Sequence, residues 1–284
     1  MFAMRRVLLP WITLLVVGLA IPSRGFCQDD AKLKKVTLPA NKGKLHLYVL
    51  MGQSNMSGRG QIYERDKKLN DHLITLTKDE NWKLASEPLH WDKPPGVVGV
   101  GPGRAFGEAM LAESEDIGYD KDEKVTVGLI PCAESGSALS RWEKGGDLYG
   151  RTLKRVRRAM KDGTLKGFLW QHGETDAASY TAATTYGDRL QRMIADMREQ
   201  LGQGDVPFVA GKVSRLLPLD RFPATDLVNS GIDALPKRVN AFGIVSTDGL
   251  NMMADGVHFD GQSSRVLGKR FAGTMREVQK KARK

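Results

Sequence analysis

Leu45-His46-Leu47-Tyr48-Val49-Leu50-Met51-Gly52-Gln53-Ser54-Asn55-Met56-Ser57-Gly58 is the stretch from which the fold is read. Leu45 to Met51 is a short, mostly apolar run ended by glycine, which suits a strand buried on both faces of a parallel sheet. Gly52 allows a close turn, and Ser54 then stands at the strand's carboxyl end, where ligands bind in such sheets. A serine there is exposed, with backbone N–H groups beside it able to face a developing oxyanion. The bland alternative is a serine that caps the next helix. Asn55-Met56-Ser57 also spells a glycosylation acceptor, set aside as a chance match in a loop of this kind.

Similar apolar runs recur at Val125 to Pro131, Gly167 to Gln171, Pro207 to Val213 and Ala241 to Thr247. Helical spacing separates them at Arg104 to Glu115, Leu148 to Lys161, Tyr180 to Leu201 and Asp226 to Arg238. A last helix after Gly261 turns Val266, Leu267, Phe271 and Met275 inward. Strands alternating with helices predict right-handed crossovers and an α/β fold, a three-layer α/β/α sandwich around a central parallel sheet of about five strands. The segment from Gln61 to Gly103 is rich in charge, Pro and Gly, has no sustained period, and reads as a loop insert near the sheet's functional edge. Its Trp82 and Trp91 are either a platform for a sugar or the small core that pins a long loop.

Composition bounds the function classes. With 41% hydrophobic and 27% charged residues the chain carries enough apolar material for a real core. Arg5 and Arg6 before the apolar run Val7 to Ile21 read as an export signal over residues 1–25, followed by a polar leader over 26–44 and one catalytic domain over 45–284. The alternative is an uncleaved anchor; the run is short for a membrane span, and none is expected once the signal is removed. Two cysteines, Cys27 and Cys132, write no disulfide framework, and Cys132 reads as buried filler. The net charge of +10 lies largely near the ends, in Lys32, Lys34, Lys35, Lys42, Lys44 and the tail from Arg276. Without aromatic interleaving or a binding motif it argues against nucleic acid and fits an acidic polysaccharide or anionic surface better.

Three further strings follow predicted strands or precede the last helix. Asp255-Gly256-Val257-His258-Phe259-Asp260 places a carboxylate three residues before an imidazole, close enough to meet across a turn. That pair is what an otherwise weak serine nucleophile needs: a base to take its proton and a carboxylate to orient the base. Asp255, His258 and Asp260 as metal ligands form the competing reading, weakened by the lack of a second such cluster. Trp170-Gln171-His172-Gly173-Glu174-Thr175-Asp176 sets several hydrogen-bonding side chains at one strand end, and Pro131-Cys132-Ala133-Glu134-Ser135-Gly136-Ser137 offers a free backbone N–H at Gly136.

Taken in order, GQSNM, PCAESGSALSRW, WQHGETDA and DGVHF resemble the sialate O-acetylesterase and acetyl xylan esterase group, carbohydrate esterase family six, of the SGNH hydrolases. The resemblance runs from about Leu45 to Ala272 and implies a flavodoxin-like SGNH fold, an acetylated oligo- or polysaccharide substrate, no cofactor and no metal, and an exported, periplasmic or secreted, setting. It implies Ser54 as nucleophile, His258 as base and Asp255 as the carboxylate behind it. Site support falls to Gly136, Gln171, His172 and Glu174, and substrate contacts to Gln53, Asn55 and Arg104. The group usually reads His-Gln-Gly-Glu, whereas this chain has Gln171-His172-Gly173-Glu174, so either His172, beside the glycine, or Gln171 serves the oxyanion. A base of ordinary imidazole character implies activity that falls in acid. A lipase or thioesterase on the same fold, a glycan-binding module without catalysis, and a metal-dependent hydrolase are the rival readings.

Overall fold

The run from Leu45 to Gly52 forms β1, the central strand of the sheet in the computed structural model, which describes residues 36–112 and 124–282. Its period of two divides the core: Leu45, Leu47, Val49 and Met51 point into one layer, Tyr48 and Leu50 into the other. On one side of β1 lies β4 (Thr126–Pro131), on the other β5 (Thr164–Gln171), both parallel to it. β6 (Phe208–Gly211) and β7 (Phe242–Val245) extend the sheet beyond β5. Because the chain crosses from one side of β1 to the other after β4, the switch in strand order falls at β1, the place at which sheets of this kind bind their ligands.

The helices supply the outer layers. α1 (Ser54–Ser57), α2 (Glu64–Lys67) and α3 (Pro102–Ala112) precede β4, and α4 (Asp147–Ala159) precedes β5. α5 (Glu174–Ala177), α6 (Tyr180–Thr184) and α7 (Tyr186–Leu201) follow β5, with α8 (Thr225–Asp233) and α9 (Gly261–Ala282) completing the order. Phe106 of α3 and Leu267, Phe271 and Met275 of α9 cover the Tyr48 and Leu50 face, while α4, α7 and α8 cover the other. The predicted stripe on the last helix holds, with Val266 at its partly buried margin. Cys132 is buried, which pushes its thiol up and away from reactivity.

Three expectations need correction. Among the described residues the sheet has seven strands, not about five, ordered β3-β2-β4-β1-β5-β6-β7. The extra two, β2 (Leu73–Leu76) and β3 (Trp82–Leu84), lie inside the insert read as loop. Four apolar-leaning residues among charges show no period by themselves; β2 becomes a strand because it pairs with the open edge of β4, and β3 then adds antiparallel to it. The helix expected over 180–201 breaks at Thr185, and Tyr186, the first residue of α7, is fully buried. The helix expected over 226–238 stops at Asp233, where a short 3₁₀ turn (Leu235–Lys237) containing Pro236 takes over, proline being unable to continue the helical ladder. The expected export signal lies outside the described residues. Val36 and Leu38, within the stretch read as polar leader, pack against the core. No helix of the described residues is long and apolar enough to cross a membrane.

The insert is pinned from several sides. Trp82 Nε1 donates to Asp162 (2.8 Å), and Arg265 of α9 holds Asp66 of α2 through Nε (3.0 Å) and Nη2 (2.6 Å). Glu87 is buried there, with one oxygen accepting from the Leu89 N–H (3.1 Å). Burial raises its pKa from 4.5 to about 8, against the opposing pull of Arg104. A folded value above the unfolded one means that the penalty is absent below about pH 4.5 and grows as pH rises toward 8. Glu87→Gln, which cannot ionise, is therefore expected to raise Tm at pH 8 by about 5 °C and to change it little at pH 4.5. Thermal unfolding at the two pH values checks this; an equal shift at both would contradict it.

Candidate active site

Ser54 is the first residue of α1, delivered by a turn that only glycine fits. Gly52 has φ +123°, and a Cβ on it would sit 2.1 Å from the Gln171 carbonyl oxygen. That closeness lets the Gln53 N–H donate to Gln171 O (3.0 Å), locking the end of β1 to the end of β5. On the other side the Glu134 N–H donates to Gly52 O (2.9 Å), which brings the loop after β4 alongside Ser54.

His258 reaches Ser54 from the loop between β7 and α9. Its Nε2 lies 2.9 Å from Ser54 Oγ and its Nδ1 2.7 Å from Asp255 Oδ2. The other oxygen of Asp255 accepts from the backbone N–H groups of Val257 (2.9 Å) and His258 (3.0 Å), so the carboxylate is held in one orientation. Burial raises its pKa, but the hydrogen bonds from His258 and the two amides outweigh that and leave it below the usual carboxylate range. An ionised Asp255 accepts only, so Nδ1 carries the imidazole proton and Nε2 presents its lone pair to the Ser54 hydroxyl. Asp260 is used differently: its Oδ1 accepts from the Ser263 N–H (2.7 Å) and caps α9, so the three residues of the metal reading do not converge.

Asn55, expected to contact substrate, instead grips the histidine loop. Its Nδ2 donates to Val257 O (3.1 Å) and to Glu174 Oε1 (2.6 Å), and its Oδ1 accepts from the Phe259 N–H (3.0 Å). The residue next to the serine thus holds both neighbours of His258, and Glu174 braces the site through it. Burial raises the Glu174 pKa, with the Asn55 hydrogen bond opposing. Asn55→Ala is expected to lower kcat about a hundredfold by loosening the Ser54–His258 geometry. Steady-state kinetics with a folded variant tests this, and an unchanged kcat would remove the clamp from the mechanism.

The other two expected substrate contacts are also structural. Gln53 is buried, its Oε1 facing the N–H groups of Gly173 and Thr175 at 3.5 Å. Arg104, its side chain 8% exposed, pairs with Glu108 (2.8 Å) and donates to the carbonyls of Arg65 and Lys68. Gln171 and His172 need a similar correction as oxyanion donors, since both are 0% exposed. Gln171 Nε2 donates to Lys212 O (3.1 Å). The His172 ring stacks on Trp170 at 4.6 Å, with Nε2 bonded to Ser137 O (2.8 Å) and Nδ1 facing Tyr186 OH (3.0 Å). Burial pushes its pKa down to about 3, so it is a neutral brick of the core.

Two backbone amides at the site are left over. Gly136 is exposed with φ +70°, and neither its N–H nor that of Ser54 donates to another group among the described residues. Four side chains that the sequence did not single out hold this arrangement. Asp92, from the insert, accepts from the Ser135 N–H (3.0 Å), from Ser135 Oγ and from Ser57 Oγ (2.5 Å), tying the loop after β4 to α1. Arg59 donates to Ser57 Oγ (3.1 Å), Gly58 O (2.7 Å) and Ser135 Oγ. Burial raises the Asp92 pKa, yet the hydroxyls and the amide keep it lowered overall and ionised. Ser57 and Arg59 sit in the run after Ser54; no spacing in the sequence marks Asp92.

Residues 44–277 match the family described as carbohydrate esterase, sialic acid-specific acetylesterase. The chain belongs to that family. It is 36% identical over 179 residues to a probable carbohydrate esterase of Arabidopsis thaliana, a stretch covering 57% of this chain and 66%, just under two thirds, of that relative. The X-ray structure of the Arabidopsis thaliana protein superposes with a TM-score of 0.72 at 28% identity, covering 82% of this chain and 98% of that one. The structure of NanS gives 0.69 at 14% identity, over 86% and 100% of the two chains. A carbohydrate acetylesterase from Xanthomonas citri gives 0.61 at 18%, over 84% and 57%. The last two likenesses speak to the fold of the esterase, not to its substrate.

Proposed function

We propose that this carbohydrate esterase removes O-acetyl groups from a sugar through an acetyl-Ser54 intermediate. The observation that carries the reading is the continuous chain Ser54 Oγ, His258 Nε2, His258 Nδ1, Asp255 Oδ2, with links of 2.9 and 2.7 Å, beside two unused amides. Ser54 Oγ attacks the acetyl carbonyl as His258 takes its proton, and the N–H groups of Ser54 and Gly136 receive the oxyanion. On collapse of the tetrahedral intermediate the C–O bond to the sugar breaks, and His258 returns the proton to the departing sugar oxygen. Water, deprotonated by His258, then attacks the acetyl-serine and releases acetate and free Ser54. Asp255 keeps the imidazole in its tautomer throughout, and no step calls for a metal.

The family supports a carbohydrate as the bearer of the acetyl group. The export signal read over residues 1–25, with the catalytic domain over 45–284, fits a polymer substrate outside the cytoplasm. Acetate release by the protein from acetylated xylan, acetylated sialic acid and a small aryl acetate tests the reading and ranks the substrates. Turnover of long acyl esters in preference to all three would favour a lipase-like role, and no turnover by folded protein would favour a binding module.

A further inference from the structure

Beside the Ser54 site lies a cleft of about 400 Å³ bounded by the insert, the loop after β4 and the exposed face of α4. Its wall at Cys132 to Glu134 leads directly into Ser135 and Gly136. Trp91 also lines it, immediately before Asp92, whose carboxylate holds Ser135. The cleft and the oxyanion loop therefore share one scaffold.

Trp91 is 37% exposed, and its ring packs on the Arg155 guanidinium 4.8 Å below. Arg155 is itself buried and fixed by the carbonyls of Leu76 and Thr77, both at 3.0 Å. A ring held this way offers a flat apolar surface at little further entropic cost. His90 lines the same cleft, buried, and burial lowers its pKa to about 4. Trp82 serves only to pin the insert, through Asp162.

The charges around the cleft do not cancel. Asp92 is satisfied by Ser57, Ser135 and Arg59, and Glu134 by Arg151 (2.9 Å). Lys78 and Lys154 are exposed and pair with no acid among the described residues, which leaves them with Arg155 against Glu80 alone. A net positive, partly walled cleft attracts anions.

We propose that this cleft is a second sugar subsite that takes an anionic sugar residue of the acetylated polymer, with Trp91 under the ring and Lys78 and Lys154 facing its charged group. The proposal rests on the esterase reading, since the glycan it positions is the one whose acetyl group lies at Ser54. The anion is a uronate carboxylate or a sugar sulfate, which share the chemistry that lysines recognise.

Calorimetric titration of the full protein with three unacetylated tetrasaccharides, one uronate, one sulfated and one neutral, tests it without turnover. The expected result is binding of a charged tetrasaccharide at least tenfold tighter than the neutral one, weakening with salt. The uronate and sulfate arms identify the anion. Lys78→Ala/Lys154→Ala is expected to abolish the preference, and Trp91→Ala to weaken charged and neutral ligands alike. The lysine variant alters exposed side chains only, so the test stands even if Trp91→Ala fails to fold. Equal binding of charged and neutral ligands, or a preference that survives the lysine changes, would overturn the subsite. Aryl acetate hydrolysis, run in parallel with Ser54→Ala as control, separates the two ideas: its absence sinks the esterase, whereas its presence without an anion preference sinks the subsite alone.

Discussion

Replacing Ser54 with alanine is expected to lower aryl acetate hydrolysis by about a millionfold, the loss typical of removing the nucleophile of such a triad. The fold should persist. Among the described residues Ser54 Oγ has one hydrogen-bond partner, His258 Nε2, on a side chain that is 23% exposed and can turn to water instead. The turn that carries residue 54 is held by backbone links from Gln53 to Gln171 and from Glu134 to Gly52, which the substitution leaves in place. Residual hydrolysis about 10³- to 10⁴-fold above the uncatalysed rate, with an unchanged Tm, is the expected pair of readings. Activity within tenfold of the original in a folded variant would assign the nucleophile elsewhere.

Asp255→Asn is expected to cost about ten-thousandfold in kcat, through the wrong tautomer of the base. The argument comes from the unequal use of the two carboxylate oxygens. Oδ1 is fixed by the N–H groups of Val257 and His258, so the asparagine oxygen keeps that place and its NH₂ group replaces Oδ2. An amide donating to Nδ1 moves the imidazole proton to Nε2, where it points at Ser54 and the ring can no longer act as base. Glu174 is engaged elsewhere, its Oε1 accepting from Asn55, while the ring's Nδ1 faces Asp255. Kinetics and unfolding of the variant give the test: a loss under tenfold would show that another group orients the ring. The lowered pKa of Asp255 also has a sign. Its favourable contribution is present above the ordinary carboxylate value of about 4 and is lost only as pH falls through the depressed folded value. Between pH 5 and 8 the carboxylate stays charged, and any activity change there has another origin.

The fold was legible wherever local pattern and burial agree. The runs that became β1, β4, β5 and β6 are apolar because parallel strands inside a sheet are covered on both faces, whereas β7, at the sheet's edge, buries only Gly243 and Val245 fully. β2 and β3 were missed because β2 is stabilised by the edge of β4, where Leu73 pairs with Val127 far along the chain, and β3 in turn by β2, and neither sequence carries a mark of its partner. The contact of Asp255 with His258 was legible because the two lie three residues apart, and the place of Ser54 because it directly follows the first strand. Asn55 was assigned the wrong task because its partners, Glu174 and Val257, come from 119 and 202 residues along the chain.

Gln171 and His172 show where sequence reasoning stops. Polar residues at a strand's carboxyl end look like site residues, yet β5 is an interior strand and its end is sealed beneath Trp170, Tyr186 and the loop at Ser137. By itself the sequence determined the alternation of strands and helices, the serine after the first strand and the aspartate–histidine pair before the last helix, because periodicity and spacing are local. Only the tertiary structure decided which polar groups are turned inward to satisfy one another and which amides are left for a ligand. Burial is set by distant segments packing together, and a buried polar group must find its partners wherever the fold brings them.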